Sequence, residues 1–240
     1  MTFLDSEHTQ QWVKRLLAHP ARIEPGMLLQ AHPISLRSGA VIELHGIDLL
    51  GRPCLFGFFE CMDPVAWDWV LESITSFREG IEGSDPIYQR GREPRLFLLG
   101  QEWQVEDFAR LRFLAQNIAI RGYRLKEFGS MDLCFPAVDA VDPDAWVEHV
   151  AAKDRLFIER LLAAAGRGGQ KVQVMGGFWP LNLVNADGPF ASLHQNEDGL
   201  LMSVPAEPGR YRILDLNQSR DRDLAIDSVM RHRLVGQNSE

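Results

Sequence analysis

Apolar and polar residues along the first half of the chain follow a helical period in two segments. Residues 5–18 place Trp12 and Leu16 on one helical face, which predicts an amphipathic helix. Residues 63–78 keep a similar spacing and open with Asp63-Pro64, an N-cap followed by proline at the first helical position. These two segments predict the first two helices of the chain.

Short apolar runs between and after these helices predict the strands of a sheet. Residues 40–49 and 53–59 are joined by Leu50-Gly51-Arg52, a tight-turn sequence, and predict an antiparallel hairpin. The remaining predicted elements are strands over 27–35, 95–100 and 118–128, a helix over 104–116 and a loop over 80–94. Because strands alternate with helices after the hairpin, we expect an α/β domain whose mixed β-sheet is flanked by helices.

The second half of the chain has a different pattern. Residues 129–143 contain Pro136 and several aspartates and predict a linker, after which a long helix is expected over 145–165, ended by Gly166. Short strands are then predicted over 171–176, 180–185, 190–194, 200–205 and 211–216, and a last helix over 221–234. We therefore expect a first α/β domain over 1–128 and a second, smaller α+β domain over 144–240.

Composition restricts the class of protein. Of the 240 residues, 45% are hydrophobic and 24% charged, which is typical of a folded globular chain. The net charge of −8 argues against a protein whose main role is to coat nucleic acid. The sequence has no apolar run long enough to span a membrane, and its three cysteines are sparse. Because residues 1–12 contain neither a basic nor an apolar segment, we expect no secretory signal. We expect a cytoplasmic acidic protein with no membrane partner.

The hairpin carries a family resemblance. GAVIELHGIDLLGRPCLFGFF, residues 39–59, resembles the core of the PD-(D/E)XK nucleases, in particular their RecB-like and NucS-like branch. In that pattern an Asp and a strand reading LxGxDxxG precede an apolar strand that ends in ExK. The order of predicted elements over about 5–128 agrees with it, so the resemblance implies a restriction-endonuclease-like core. Residues 145–234 resemble a small α+β domain of unknown function that follows such modules.

The resemblance also implies that the nuclease site is degenerate. In these nucleases the Asp and Glu hold a divalent cation, which activates water, and the Lys stabilises developing charge. The corresponding residues here are Glu43, Gly57 and Phe59. One carboxylate is kept, while the second metal ligand and the cation are lost. We therefore expect no catalytic residues, no bound metal and no cofactor, and an inactive nuclease-like module for binding or assembly.

Two other functions are considered. A divergent nuclease would use Glu43 together with Glu60, or with Glu7 from the first helix, and would then require Mg²⁺ or Mn²⁺. Glu60 lies one residue beyond Phe59 and points to the opposite face of a regular strand, unless a bulge rotates it. The other alternative is a protein–protein interaction or oligomerisation module with no nucleic-acid role.

Arginines are frequent between residues 90 and 124. Arginine is favoured for phosphate contacts, and the candidates for nucleic-acid binding are Arg90, Arg92, Arg121 and Arg124. Because acidic residues are interleaved with them, a solvated, ion-paired face explains the same pattern. The partner is expected to be a protein or a nucleic acid, and self-association into a homo-oligomer is left open.

Overall fold

A computed structural model describes residues 3–79, 92–126, 129–135, 147, 150–167, 171–173, 180–185, 188–196, 199–207 and 210–235. The chain divides into two units. The first contains Met1–Ala18 and Leu28–Val138, and the second contains His19–Met27 and Asp139–Glu240. Residues 19–27, which the sequence analysis places in the first domain, therefore belong to the second unit.

The first unit is built on a six-stranded mixed sheet. Its elements are α1 (Ser6–Ala18), β1 (Leu28–Gln30), β2 (Ile34–Ser35), β3 (Val41–Ile42), β4 (Leu44–Ile47), β5 (Pro53–Cys61), α2 (Pro64–Glu79), β6 (Arg95–Glu102), α3 (Val105–Leu114), β7 (Ala119–Leu125) and β8 (Met131–Phe135). The strand order is β1-β4-β5-β6-β7-β8, with β2 and β3 forming a separate two-stranded sheet. Strands β5, β6 and β7 are parallel, and the other neighbours are antiparallel.

The apolar side chains of β5 and β6 explain why these two strands lie at the centre of the sheet. Both strands are buried on both faces over most of their length, as expected for parallel strands covered by helices. Helices α2 and α3 pack on one face, where Trp69, Ile74 and Leu111 meet Leu55 and Leu98. The predicted mixed sheet flanked by helices is confirmed.

The predicted start of α2 is also confirmed. One carboxylate oxygen of Asp63, Oδ1, accepts hydrogen bonds from the backbone N–H groups of Val65 and Ala66 at 2.8 and 3.1 Å. Pro64 occupies the first helical position, where its missing N–H leaves no helical hydrogen bond unmade. The helix therefore begins at the residue that the sequence indicates.

The hairpin has the predicted antiparallel pairing, with Leu44 opposite Phe56 and Ile47 opposite Pro53. In the turn, Oδ1 of Asp48 accepts from the N–H groups of Leu50 and Arg52, both at 2.9 Å. Gly51 has a φ of 72°, a left-handed conformation that other residues adopt only with strain. The turn chemistry of this segment thus fixes the register of β4 and β5.

The second unit is an antiparallel sheet with helices, which confirms the predicted α+β class. Its elements are a 3₁₀ turn (Pro20–Arg22), α4 (Ala152–Arg167), β9 (Lys171–Gln173), β10 (Leu181–Asn185), β11 (Gly188–Asn196), β12 (Gly199–Glu207), β13 (Arg210–Asp215) and α5 (Ser219–Val235). The strand order is β13-β12-β11-β10-β9. Apolar residues of α4 and α5, such as Leu161 and Val229, pack with sheet residues such as Leu193 and Met202.

Three predicted boundaries are wrong. The strand expected over 27–35 is two strands, because β1 pairs with β4 while β2 pairs with β3 in another sheet. The expected linker over 129–143 contains β8, since Met131–Phe135 pair with the edge of β7. The single helix expected over 145–165 is interrupted: Val147 is helical, Val150 lies at a bend, and α4 runs from Ala152 past Gly166. The first two errors concern strand pairings with partners elsewhere in the chain.

Within the described residues, no helix combines the length and apolar character that crossing a membrane would need. Several predicted segments fall wholly or partly outside these residues, namely the loop over 80–94 and the stretches 136–146, 168–170 and 174–179.

Candidate functional site

Glu43 lies beside a cavity at one edge of β5. Glu43 stands between β3 and β4. The pairing of β4 with β5 ends at Leu44 and Phe56, so Gly57, the next residue of β5, lies just beyond it. Glu43 and Gly57 both line a cavity of about 320 Å³, here called the Glu43 cavity. Its apolar lining comes from Phe3, Leu4, Val41, Phe56, Phe58 and Trp69. The hairpin thus brings together two of the three positions that the resemblance singles out.

The carboxylate of Glu43 is half-buried. Among the described residues, no hydrogen bond or ion pair joins its side chain to another group. Burial raises the pKa of the Glu43 carboxyl above its ordinary value, and no neighbouring charge acts against this effect. A half-buried carboxylate has lost part of its hydration, which disfavours its charge. A cation bound to it would compensate for this loss.

The position of the second acidic ligand is filled by aromatic rings. A Cβ atom placed on Gly57 would lie 2.5 Å from Cε2 of Phe59 and 2.8 Å from Cζ3 of Trp69, closer than real Cβ contacts. The two rings meet edge to face with centroids 5.4 Å apart, and both are almost fully buried. Phe59 therefore packs against α2 as a core residue, and β5 has no room for a carboxylate at residue 57.

The alternative acids lie apart from this position. Glu60 is exposed, and β5 pairs with β6 from Cys54 to Cys61 without a register shift, so no bulge turns Glu60 toward the face of Phe59. Glu7 is exposed on α1. Within the part of the chain that the structure describes, none of Glu7, Glu43 and Glu60 belongs to a cluster of three close metal-ligating side chains.

The residues around Glu43 do not fit a divalent cation. Mg²⁺ and Mn²⁺ are hard ions that require several oxygen ligands. Among the described residues that line the cavity, Glu43 supplies the one carboxylate, and most of the others are aromatic or aliphatic.

The predicted arginine surface is smaller than the sequence indicates. Arg121 is 1% exposed, because it faces inward on β7, and its Nη1 lies 3.5 Å from the hydroxyl of Tyr123. Arg92 and Arg124 are exposed, and Arg90 lies outside the described residues. Of the described candidates, Arg92 and Arg124 are therefore the two on the surface.

Asp48 also forms buried ion pairs, which the sequence analysis missed. Oδ2 of Asp48 accepts a hydrogen bond from Nε of Arg52 at 2.6 Å and from Nη1 of Arg95 at 2.8 Å. Arg95 is fully buried although it begins an apolar strand. A charged residue in an apolar strand requires a partner, so the sequence indicates that Arg95 forms an ion pair. It does not reveal that the partner, Asp48, lies 47 residues away.

A second buried polar cluster, in the second unit, was also missed. Nε2 of His194 lies 3.4 Å from a carboxylate oxygen of Glu24 and 3.3 Å from Oγ of Ser192, and Ser192 donates to the carbonyl of Pro25 at 2.8 Å. The same ring nitrogen faces both the serine and the acid, whereas a catalytic triad uses one nitrogen for each. All three side chains are fully buried, and this cluster joins residues 24–25 to β11.

The first unit is therefore an α/β domain in which α1, the β4–β5 hairpin, α2, β6, α3 and β7 follow each other in the order predicted from the sequence. No protein-family model matches the sequence, and no curated protein matches it either. The structure is distantly similar to the crystal structure of a repair endonuclease from Pyrococcus abyssi, with 16% sequence identity and a TM-score of 0.35. The match covers 51% of this chain and 48% of the endonuclease chain, so the similarity spans about half the length of each protein.

Proposed function

We propose that the first unit is a nuclease-like module that does not cleave phosphodiester bonds and serves in binding or assembly. The observation that carries the proposal is the filled space at Gly57, where the rings of Phe59 and Trp69 occupy the volume of a second metal ligand. The residue that would supply a positive charge in an active relative is Phe59 itself, which is fully buried.

The charge of the site supports the same proposal. Hydrolysis of a phosphodiester requires groups that neutralise the charge on the phosphate, as metal ions and lysine do. Glu43 instead presents an unpaired negative charge, which repels a phosphate group unless a cation lies between them. A phosphodiester placed in the Glu43 cavity would therefore be destabilised.

The test is a cleavage assay on the full chain. Plasmid DNA, single-stranded DNA and single-stranded RNA are incubated with the protein and either Mg²⁺ or Mn²⁺, and products are compared with those from Glu43→Ala, Glu60→Ala and a buffer control. The proposal predicts that wild type and both variants give equal background. Metal-dependent cleavage that Glu43→Ala abolishes would overturn it, and loss in both variants would favour the divergent nuclease.

The partner and the compartment belong to the same proposal. The partner is a protein or a nucleic acid, with exposed Arg92 and Arg124 as the described candidates for phosphate contact. The compartment is the cytoplasm, in agreement with the free thiols of Cys54, Cys61 and Cys134. Size-exclusion chromatography with light scattering tests self-association, and charge-reversal of the two arginines tests nucleic-acid binding in a gel-shift assay.

A further inference from the structure

The Glu43 cavity has the features of a small-molecule site. Its volume of about 320 Å³ lies within the range of ligand pockets in proteins. Most of its lining is aromatic or aliphatic, and Glu43 is its acidic residue. The hydroxyl of Thr9, which also lines the cavity, already donates to the carbonyl of Leu4 at 3.2 Å. The cavity therefore offers apolar contact area and one strong hydrogen-bond acceptor.

Charge complementarity decides the class of ligand. An anion is repelled by the Glu43 carboxylate, and a metal ion finds too few oxygen ligands. A neutral apolar molecule would fill the cavity but would leave a charged acceptor without a partner, which is unfavourable when water is displaced. A protonated amine satisfies the carboxylate by a charge-assisted hydrogen bond, and its apolar body can lie among the aromatic side chains.

The size of the cavity limits this amine. At roughly 30 Å³ per water-sized group, a cavity of about 320 Å³ accommodates on the order of ten non-hydrogen atoms. That is the size of a phenyl ring with a short aminoalkyl chain. A larger molecule, such as a nucleotide, exceeds the volume and brings the wrong charge.

We propose that the Glu43 cavity binds a small organic amine, with the ammonium group on the Glu43 carboxylate and the apolar body between Trp69 and the phenylalanines of β5. The inference rests on the proposed function, because it takes the position of the nuclease site to be a pocket without metal. It adds the chemical class of the ligand.

Isothermal titration of phenethylamine into the full chain tests this assignment, with 2-phenylethanol and phenylacetate as neutral and anionic analogues of the same shape. We expect saturable binding of the amine, weaker binding of the alcohol and none of the acid. Glu43→Gln should weaken amine binding by about tenfold or more, since a charge-assisted hydrogen bond is lost, and should change the affinity for the alcohol by much less. Glu102→Gln, which changes an exposed glutamate on β6, is the matched control and should bind like wild type.

A second variant blocks the cavity without changing its charge. Val41 is 39% exposed and lines the cavity, so Val41→Trp can obstruct its entrance while the buried core stays intact, and it should abolish binding of both amine and alcohol. Equal affinity of wild type for the amine and the alcohol, or no saturable binding of the amine at millimolar concentration, would overturn the inference. If the amine does not bind and no metal-dependent cleavage is seen, the amine site is refuted and the proposal of an inactive module is not. Cleavage that depends on Glu43 would refute both proposals.

Discussion

Replacing Gly57 by alanine adds one methyl group to β5. It tests how completely aromatic rings fill the space at residue 57, where the resemblance places the second acidic ligand. In Gly57→Ala, the new Cβ would lie 2.5 and 2.6 Å from two ring carbons of Phe59 and 2.8 Å from one of Trp69. Phe59 is 0% exposed and Trp69 is 2% exposed, so neither ring can move into solvent to relieve the clash. Inserting a methyl group into a packed core destabilises a protein by about 1–3 kcal/mol, and we expect a loss in this range.

Urea unfolding followed by circular dichroism gives the change in the free energy of unfolding, and a double-mutant cycle assigns its cause. Phe59→Leu removes the ring atoms at 2.5 and 2.6 Å but leaves the Trp69 contact. Adding Gly57→Ala to Phe59→Leu should therefore cost about 1 kcal/mol less than adding it to wild type. Gly166→Ala is the control: it lies in α4 with nothing within 4 Å of the added Cβ, and should stabilise by about 0.5–1 kcal/mol.

The reasoning is refuted if Gly57→Ala changes the free energy of unfolding by less than about 0.5 kcal/mol, the range of a surface substitution. It is equally refuted if the loss is the same with Phe59 and with leucine at that position. Either result would mean that Phe59 does not occupy the space beside Gly57, and that a carboxylate could be accommodated there.

Three further outcomes follow from the described contacts. Asp48→Ala leaves the buried guanidinium of Arg95 without this carboxylate and should lower the free energy of unfolding by about 3–5 kcal/mol; a loss below about 1 kcal/mol in urea unfolding would contradict the buried pair. Because burial raises the pKa of Glu43, the folded state disfavours the charged form of its carboxyl. Glu43→Gln should therefore raise the Tm at pH 7 and have no effect at pH values below 4.5, the ordinary pKa of the group. A gain in Tm that does not depend on pH would argue against burial as its cause. Burial also raises the pKa of the Cys134 thiol to about 11, so iodoacetamide should alkylate it at pH 8 roughly a hundredfold more slowly than a free cysteine, with the rate rising toward pH 11; fast alkylation at pH 8, measured by peptide mass spectrometry, would show an accessible thiolate.

Local sequence signals predict the parts of this fold that local chemistry determines. The hairpin follows from two apolar runs with a glycine turn, and Asp63-Pro64 sets the start of α2. The strand Met131–Phe135 and the division of 27–35 could not be predicted in this way, because both depend on which edge of a sheet accepts the segment. Pairing partners far along the chain leave no local signal.

The candidate site was predictable to a similar extent. The resemblance names Glu43, Gly57 and Phe59, and the alternation of side chains along a strand predicts that Glu60 faces away from Gly57 and Phe59. A glycine within a strand indicates only that some group approaches the backbone closely, and the sequence does not identify that group as Trp69. The burial of Arg121 was missed, because a charged residue within a strand was interpreted as exposed, whereas β7 is covered on that face.

The most direct test of an inactive site is the titration of Mn²⁺ into the purified protein, with Glu43→Ala as the matched variant. A single half-buried carboxylate supplies too few oxygen ligands for a hard divalent ion. The account predicts no saturable heat of binding up to millimolar Mn²⁺ and identical traces for the two proteins. Micromolar binding to the wild type that Glu43→Ala removes would contradict it and would make Glu43 a metal ligand.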